Sequence, residues 1–484
     1  MLGVPKSNNQ NPKTIAVGPH PPKIPFLGSY AASEYHGCNL KHYFGTDGIR
    51  GVAGEPPLDP TTVFAIGVAL GDYLNRNGHR RVVLGEDTRE SSRWIADTLA
   101  ASLTSRGVAF AEAGIIPTPG VAYLARGQDF AAGVMNSASH NPFQDNGIKI
   151  FDHSGLKLPD AVEAELEGEI TRLRSAMPPS AVHATAPDPK LHESYLAYLA
   201  ACLAGVDFSG MKVVVDCANG AASAVAEELF RKLGFVPVMM HASPNGRNIN
   251  AGCGALHPQA MAAEVVASGA VAGVAFDGDA DRAILADAAG GLVDGDRVLL
   301  IAARALQRSG RLEPPVVVGT VMTNLGLELA LNREGIRLER TPVGDKYVLE
   351  RMQASGARLG GEQSGHVIFG ADATTGDGLL TALRTFEVMA QTGRPLAELS
   401  AGFLACPQVL LNIRVREKVP IERLDGVRRL IERAEAELQS TGRVLVRYSG
   451  TEKLARVMVE AESSSAVEAH ARAIAEALRA AIGE

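Results

Sequence analysis

Apolar residues recur along this chain at two spacings. Short continuous runs such as Arg81-Val82-Val83-Leu84-Gly85 read as buried strands, and stretches with apolar residues three and four apart read as helices. A first helix is expected over about 61–74, ending near Gly78. The strand leads through a polar loop, Glu86-Asp87-Thr88-Arg89, to a second helix capped by Ser91 or Ser92. That helix carries Trp94, Ile95, Leu99 and Leu103 on one face and ends at Gly107. Another strand and the turn Ile116-Pro117-Thr118-Pro119 lead to a third helix, and a strand–loop–strand closes the unit over 133–151. Strand, helix, strand, helix, strand is an α/β unit.

The same order returns twice. The strand at 211–217 opens a second round, and 271–285 closes it with the same strand–loop–strand layout. A third round opens at 315–320, passes a Thr341-Pro342 turn like the earlier Pro-Thr-Pro turn, and closes over 357–369. The repeat rests on order and layout, not on identity. After Cys406-Pro407 the pattern changes to a strand at 409–415, a helix at 421–438, strands near 443–447 and 456–460, and a last helix. Ser465 and Glu468 read as a capping box for that helix, with Val467, Ala471, Ile474, Leu478 and Ile482 on its apolar face. The expected fold is therefore α/β: three similar α/β domains (42–189, 190–297, 298–405) and a smaller α+β domain (406–484). Residues 1–41, rich in Pro, Asn and Gly, read as a poorly ordered extension outside the fold.

Composition narrows the function. A net charge of -7, no basic run and 5% aromatic residues speak against nucleic-acid and anionic-membrane partners. Five scattered cysteines without a CxxC pair fit a reducing cytoplasm, not a disulfide framework or a zinc site. No apolar run reaches the ~20 residues that span a bilayer.

Four loops carry the chemistry. The first, Ser137-Ala138-Ser139-His140-Asn141-Pro142, offers two hydroxyls and an imidazole between strands, with Lys149 on the exit strand. The second places Asp277, Asp279 and Asp281 alternately after an apolar strand, so three carboxylates share one side if the pleat persists. Such a cluster calls for a cation, and an all-oxygen set suits Mg²⁺. Arg282 stands where an EF-hand needs glycine and Ala288 where it needs glutamate, which excludes that motif. A haloacid-dehalogenase type of aspartyl nucleophile and a solvated acidic turn stay open from this stretch alone. The third, Gly361-Glu362-Gln363-Ser364-Gly365-His366, carries an acid, an amide and a hydroxyl suited to sugar hydroxyls. The fourth, Arg447-Tyr448-Ser449-Gly450-Thr451, reads as a phosphate cradle. Arg50, in the glycine-rich stretch 44–51, is a further anion contact. Together these point to phosphoryl transfer on a phosphorylated sugar, a reaction that needs mainly positioning and charge stabilisation.

With these four motifs in this order, the chain resembles the α-D-phosphohexomutase family from about Tyr43 to its C-terminus. Gln363 is similar to the branch acting on glucosamine phosphates, whereas the mannose and glucose branch usually has Met there. The resemblance implies a heart-shaped enzyme with four domains around a central cleft. It implies an isomerase interconverting glucosamine 6-phosphate and glucosamine 1-phosphate through a phosphoserine and a 1,6-bisphosphate, on the bacterial route to UDP-N-acetylglucosamine and peptidoglycan. By position, Ser139 is then the phosphoserine and, with Asp277, Asp279 and Asp281, holds Mg²⁺. Arg50, His140, Lys149 and Arg282 surround the transferred group, Lys149 or His140 moving the proton. Glu362 and Ser364 hold sugar hydroxyls, and Arg447, Ser449, Gly450 and Thr451 hold the second phosphate. Asp345 falls where the mannose and glucose branch has histidine and is given no catalytic task. The competing readings are a phosphomannomutase/phosphoglucomutase and a sugar-phosphate-binding regulator without turnover. The chain is expected to act on a small-molecule sugar phosphate, as a monomer or as a homodimer.

Overall fold

The structure, a computed structural model, describes residues 43–45, 47–175, 186–449 and 453–484. The extension expected over 1–41 lies outside the described residues, and so do Gly450 and Thr451 of the fourth loop.

Three sheets repeat one strand plan. The first holds β1 (Phe44–Gly45), β2 (Gly48–Val52), β3 (Arg81–Glu86), β4 (Ala109–Ile115), β5 (Ala132–Asn136) and β6 (Asp145–Asp152), in the order β1-β2-β6-β5-β3-β4. The second holds β7 (Lys212–Asp216), β8 (Val236–Met240), β9 (Ala272–Phe276), β10 (Ala283–Asp287) and β11 (Leu292–Val293), in the order β11-β10-β9-β7-β8. The third holds β12 (Val316–Thr320), β13 (Arg337–Thr341), β14 (Leu359–Gly361) and β15 (Val367–Phe369), in the order β13-β12-β14-β15. In each, the first strand of the repeat lies between two parallel neighbours, and the fourth folds back antiparallel on the third. Parallel neighbours need crossovers, which is why helices separate these strands in sequence. The turns at Pro117 and Pro342 hold equivalent places, each leading from the second strand into a helix (Thr118–Gly127 and Asp345–Ser355).

The three units share one continuous core, running from Val83 and Tyr195 through Val213 and Phe276 to Val317 and Phe386. The fourth sheet is antiparallel throughout: β16 (Gln408–Arg414), β17 (Gly442–Tyr448) and β18 (Leu454–Ala461), in the order β16-β18-β17. It has its own core, in which Val457 and Val459 meet Val467, Ala471, Ile474 and Leu478 of the last helix. Polar contacts join it to the third unit. Arg443 donates to the carbonyls of Val321 and Thr323 at 2.8 and 2.7 Å, and Glu460 accepts from the Leu325 amide at 3.1 Å.

Helix starts differ in detail from the sequence expectation. The first helix, Pro60–Arg76, is capped by Asp59, which accepts from the Thr62 amide. Neither Ser91 nor Ser92 caps the helix Ser92–Ser105 with its side chain. Ser92 donates its hydroxyl to Asp87, and Ser91 accepts from Asn146, because both serines face the buried loop instead. The last helix, Ser464–Ile482, is capped by Ser463 through the Ala466 amide, so the expected box is corrected. Ser465 already lies inside the first turn, and Glu468 pairs with Arg472 one turn on.

Candidate active site

Three loops leave the carboxyl ends of β5, β9 and β14, the same strand in each repeat. In open α/β sheets this is where ligands gather. The first two loops meet. Ser139 is buried and holds a left-handed backbone, φ 52°, unusual for a residue with a side chain. Its hydroxyl donates to Asp277 Oδ2 at 2.6 Å across 138 positions of sequence. His140 Nδ1 lies 3.3 Å from the same Oγ. Ser137, the other hydroxyl of the loop, is committed elsewhere: it donates to Asp87 at 2.6 Å and accepts from the Ser139 amide at 2.9 Å.

The second loop brings its three carboxylates together. One oxygen of each of Asp277, Asp279 and Asp281 lies within 4.8 Å of the others, and all three residues are buried. Thr118 holds Asp279 twice, amide to carbonyl at 3.0 Å and hydroxyl to Oδ2 at 2.6 Å. Lys149 Nζ reaches Asp279 Oδ2 at 2.8 Å, Asp47 Oδ2 at 3.1 Å and Asp281 Oδ2 at 3.5 Å. The oxygens Asp279 Oδ1 and Asp281 Oδ1 are buried without a hydrogen-bond partner. Unpaired buried carboxylate oxygens are costly, and an oxygen-preferring divalent cation removes that cost, so the set fits a metal.

The charges of the site follow from this packing. Burial, then the carboxylates of Asp281 and Asp279, push Asp277 well above the usual carboxylate range. Burial also raises Asp281, but Lys149, His366 and Arg282 outweigh it and bring it below that range. Burial pulls against the charge of Lys149, yet Asp279, Asp47 and Asp281 outweigh it and hold the ammonium well above the ordinary lysine value. Burial and the guanidinium groups of Arg282 and Arg50 push His140 down to about 4, so its ring is neutral near pH 7.

Beside these loops opens a cleft of about 380 Å³ lined by Arg50, His140, Asp281, Arg282, Asp345, Glu362 and His366 among others. Both oxygens of Glu362 are held, Oε1 by the Gly344 amide at 3.1 Å and Oε2 by the Ser364 hydroxyl at 3.4 Å. Gln363 and Ser364 are not lining residues, and the Gln363 carbonyl accepts from the Gly295 amide at 3.1 Å. Burial opposes the charge of His366, but Asp281, Asp345 and Glu362 raise it to about 9. The Gly376 amide points at its Nε2 at 3.0 Å, which works against protonating that nitrogen. Arg447 and Ser449 stand at the end of β17 and are not lining residues either. Burial and Arg456, its cross-strand partner, lower the Arg447 pKa.

Sequence reasoning missed several residues here. Arg89 is buried under the first loop. Asn250 donates from the second unit to the Ser139 carbonyl at 2.9 Å. Lys157 joins Asp47 to Asp345 and so ties the first unit to the third. Each is a single polar residue in an irregular stretch, with no spacing to mark it.

Comparison with known proteins adds to this geometry. The family models for Phosphoglucomutase/phosphomannomutase match in four parts: alpha/beta/alpha domain I over 41–177, domain II over 193–290, domain III over 294–405 and the C-terminal domain over 410–477. A curated relative from Koribacter versatilis named Phosphoglucosamine mutase is 53% identical, covering 92% of this chain and 98% of that protein. Another of that name, from Geobacillus kaustophilus, is 46% identical over 91% of this chain and 99% of its own. Among solved structures, a phosphoglucomutase/phosphomannomutase family protein from Burkholderia thailandensis superposes with a TM-score of 0.73 at 25% identity, covering 90% of this chain and 97% of that one. An Aspergillus fumigatus N-acetylphosphoglucosamine mutase, solved with GlcNAc-6P and magnesium, shares the fold with a TM-score of 0.59 at 19% identity, covering 90% and 95%.

Proposed function

The chain belongs to the phosphoglucomutase/phosphomannomutase family, and from that premise we propose that it is a phosphoglucosamine mutase with Ser139 as its phosphoryl carrier. It interconverts glucosamine 6-phosphate and glucosamine 1-phosphate, in the cytoplasm, on the way to UDP-N-acetylglucosamine and peptidoglycan precursors. The observation that carries the reading is the Ser139 hydroxyl seated on Asp277 at 2.6 Å, at the joint of two units and beside the cleft. Ser137 is the poorer carrier, because its hydroxyl is tied to Asp87.

In the proposed cycle the phosphoryl group leaves Ser139 Oγ for a sugar hydroxyl. The P–Oγ bond breaks, a P–O bond to the sugar forms, the sugar hydroxyl gives up its proton and Ser139 Oγ takes one. In the return step, when Ser139 Oγ attacks phosphorus and gives up its proton, neutral His140, with Nδ1 3.3 Å from Oγ, is suited to accept it. Lys149 stays charged and, with Arg50 and Arg282, faces the negative charge of the group in transit. Asp277, Asp279 and Asp281, together with the phosphate on Ser139, would hold Mg²⁺, whose charge offsets that of the phosphoryl group. Glu362 and Ser364 hold sugar hydroxyls, while Arg447, Ser449, Gly450 and Thr451 hold the phosphate that does not react. The 1,6-bisphosphate must turn around before a phosphate returns to serine. That step calls for the fourth domain, 406–484, to move against the other three, 42–189, 190–297 and 298–405.

A coupled assay with glucosamine, glucose and mannose 6-phosphates tests the reading. The expected result is the highest kcat/KM for glucosamine 6-phosphate. A preference for mannose phosphate would replace the substrate and leave the family standing, and binding without turnover would make the chain a sugar-phosphate-binding regulator.

A further inference from the structure

The loop Glu86-Asp87-Thr88-Arg89 plays no part in the cycle above, yet it makes the densest polar contacts beneath Ser139. The Arg89 side chain is fully buried. A guanidinium has five N–H donors, and all five are used. Nε donates to Asp87 Oδ2 at 2.8 Å. One terminal nitrogen serves the carbonyls of Pro142 and, at 2.9 Å, Asp145. The other serves the carbonyls of Ser139 at 2.8 Å and Asn141 at 2.9 Å. Three of these carbonyls, those of Ser139, Asn141 and Pro142, lie between β5 and β6, where the loop has left its strand ladder, and the fourth, that of Asp145, opens β6. Asn250 of the second unit donates to two of the same carbonyls, Ser139 at 2.9 Å and Asn141 at 3.1 Å.

Asp87 closes the circuit. Besides Arg89 Nε it accepts the Arg89 amide at 3.0 Å, Ser92 Oγ at 2.8 Å and Ser137 Oγ at 2.6 Å. Ser137 Oγ in turn accepts the Ser139 amide at 2.9 Å. One buried ion pair therefore holds Ser139 from both sides, its amide through Ser137 and its carbonyl through Arg89. That bracket surrounds the left-handed backbone of Ser139, φ 52°, which a non-glycine residue keeps only when its surroundings over-determine it. The backbone angle sets where Oγ points.

We propose that Arg89, held by Asp87 and assisted by Asn250, is a positioning clamp that aims Ser139 Oγ at the metal loop and governs the phosphoryl-transfer step, not sugar binding. The proposal rests on Ser139 being the carrier. Arg89 touches no reacting atom, and its effect passes entirely through the loop backbone.

Arg89→Lys keeps the charge but not the planar five-donor fork. Asn250→Ala removes two of the loop's hydrogen bonds without leaving a buried charge unpaired, and so keeps the test open if Arg89→Lys does not fold. Both are assayed beside the wild type on the hexose 6-phosphate it turns over best, with melting and amide hydrogen exchange over 137–147. A misplacement of about 1 Å costs on the order of 10²-fold. We expect kcat down about 100-fold in Arg89→Lys and about tenfold in Asn250→Ala, KM within about threefold, and faster exchange in the loop. An active wild type with kcat within twofold in the folded variants overturns the clamp alone. So does a loss confined to KM or to melting, which would make Arg89 a binding or purely structural residue. An inactive wild type overturns the carrier reading and, with it, the role in transfer.

Discussion

Gly278 stands between two of the three clustered aspartates, and giving it a side chain tests how tightly the two loops fit. An ideal Cβ there would lie 2.5 Å from the Ser139 carbonyl oxygen, 2.8 Å from Asn250 Nδ2 and 2.9 Å from Ile249 Cδ1. Real Cβ contacts do not close below 3.0 Å, so the loops must part by at least about half an ångström. The Ile249 tip can turn away. The Ser139 carbonyl cannot, because Arg89 and Asn250 both hold it. Overpacking of this kind costs ~1–3 kcal/mol of stability. For catalysis, where about 1 Å is worth ~10²-fold, Gly278→Ala should lower kcat by about ten- to a hundredfold. It should also raise the Mg²⁺ concentration needed for half-maximal rate, since Asp277 and Asp279 flank the new methyl. KM for the hexose phosphate should hold, because Glu362 belongs to another unit. The assay is steady-state turnover over a Mg²⁺ series, with melting measured alongside. Gly168→Ala is the control. It lies within the helix Asp160–Arg174 with nothing inside 4 Å of its Cβ position, and should gain ~0.5–1 kcal/mol with unchanged turnover. A Gly278→Ala enzyme with wild-type kcat and Mg²⁺ dependence would show that the loops have slack, and the positional argument would fall.

Ser139→Ala should cut turnover by orders of magnitude while melting stays near wild type. Full activity there, with Ser137→Ala inactive, would move the carrier role to Ser137. Exhaustive chelation should stop turnover and Mg²⁺ should restore it, with Zn²⁺ a poor substitute because it favours tetrahedral N and S ligands; a rate indifferent to chelation would remove the metal from the cycle. Asp296 is buried, its Oδ1 lacks a partner, and burial raises its pKa to about 7. A carboxyl raised in the fold binds more protons folded than unfolded between about pH 4 and 7, so it lowers stability as pH rises through that window. Asp296→Asn should flatten this fall and raise stability at pH 8 by up to ~4 kcal/mol, with little change at pH 4. Melting curves of both proteins across pH 4–8 check it, and parallel curves would refute it.

Sequence alone carried the periodic features. Continuous apolar runs marked β3, β7, β9 and β12, because strands buried on both faces leave no polar alternation. Helical spacing marked the faces of Ser92–Ser105 and Ser464–Ile482, whose expected apolar residues are buried, Trp94 only in part. The order of elements revealed the threefold repeat, and the repeat placed three polar loops at equivalent strand ends. Tertiary structure decided what meets what. Ser139 and Asp277 are 138 residues apart, and no local propensity states that their strands end at one cleft. It also decided which of two serines faces the carboxylates, since that turns on one positive φ and on Asp87 holding Ser137. Cap identity shifted because a hydroxyl bonds to whichever buried partner is nearest, as Ser92 does with Asp87. Arg89 was unreadable for the same reason. Its weight comes from four backbone carbonyls and one carboxylate that only folding brings around it, and a lone arginine in a polar loop carries no trace of them in the sequence.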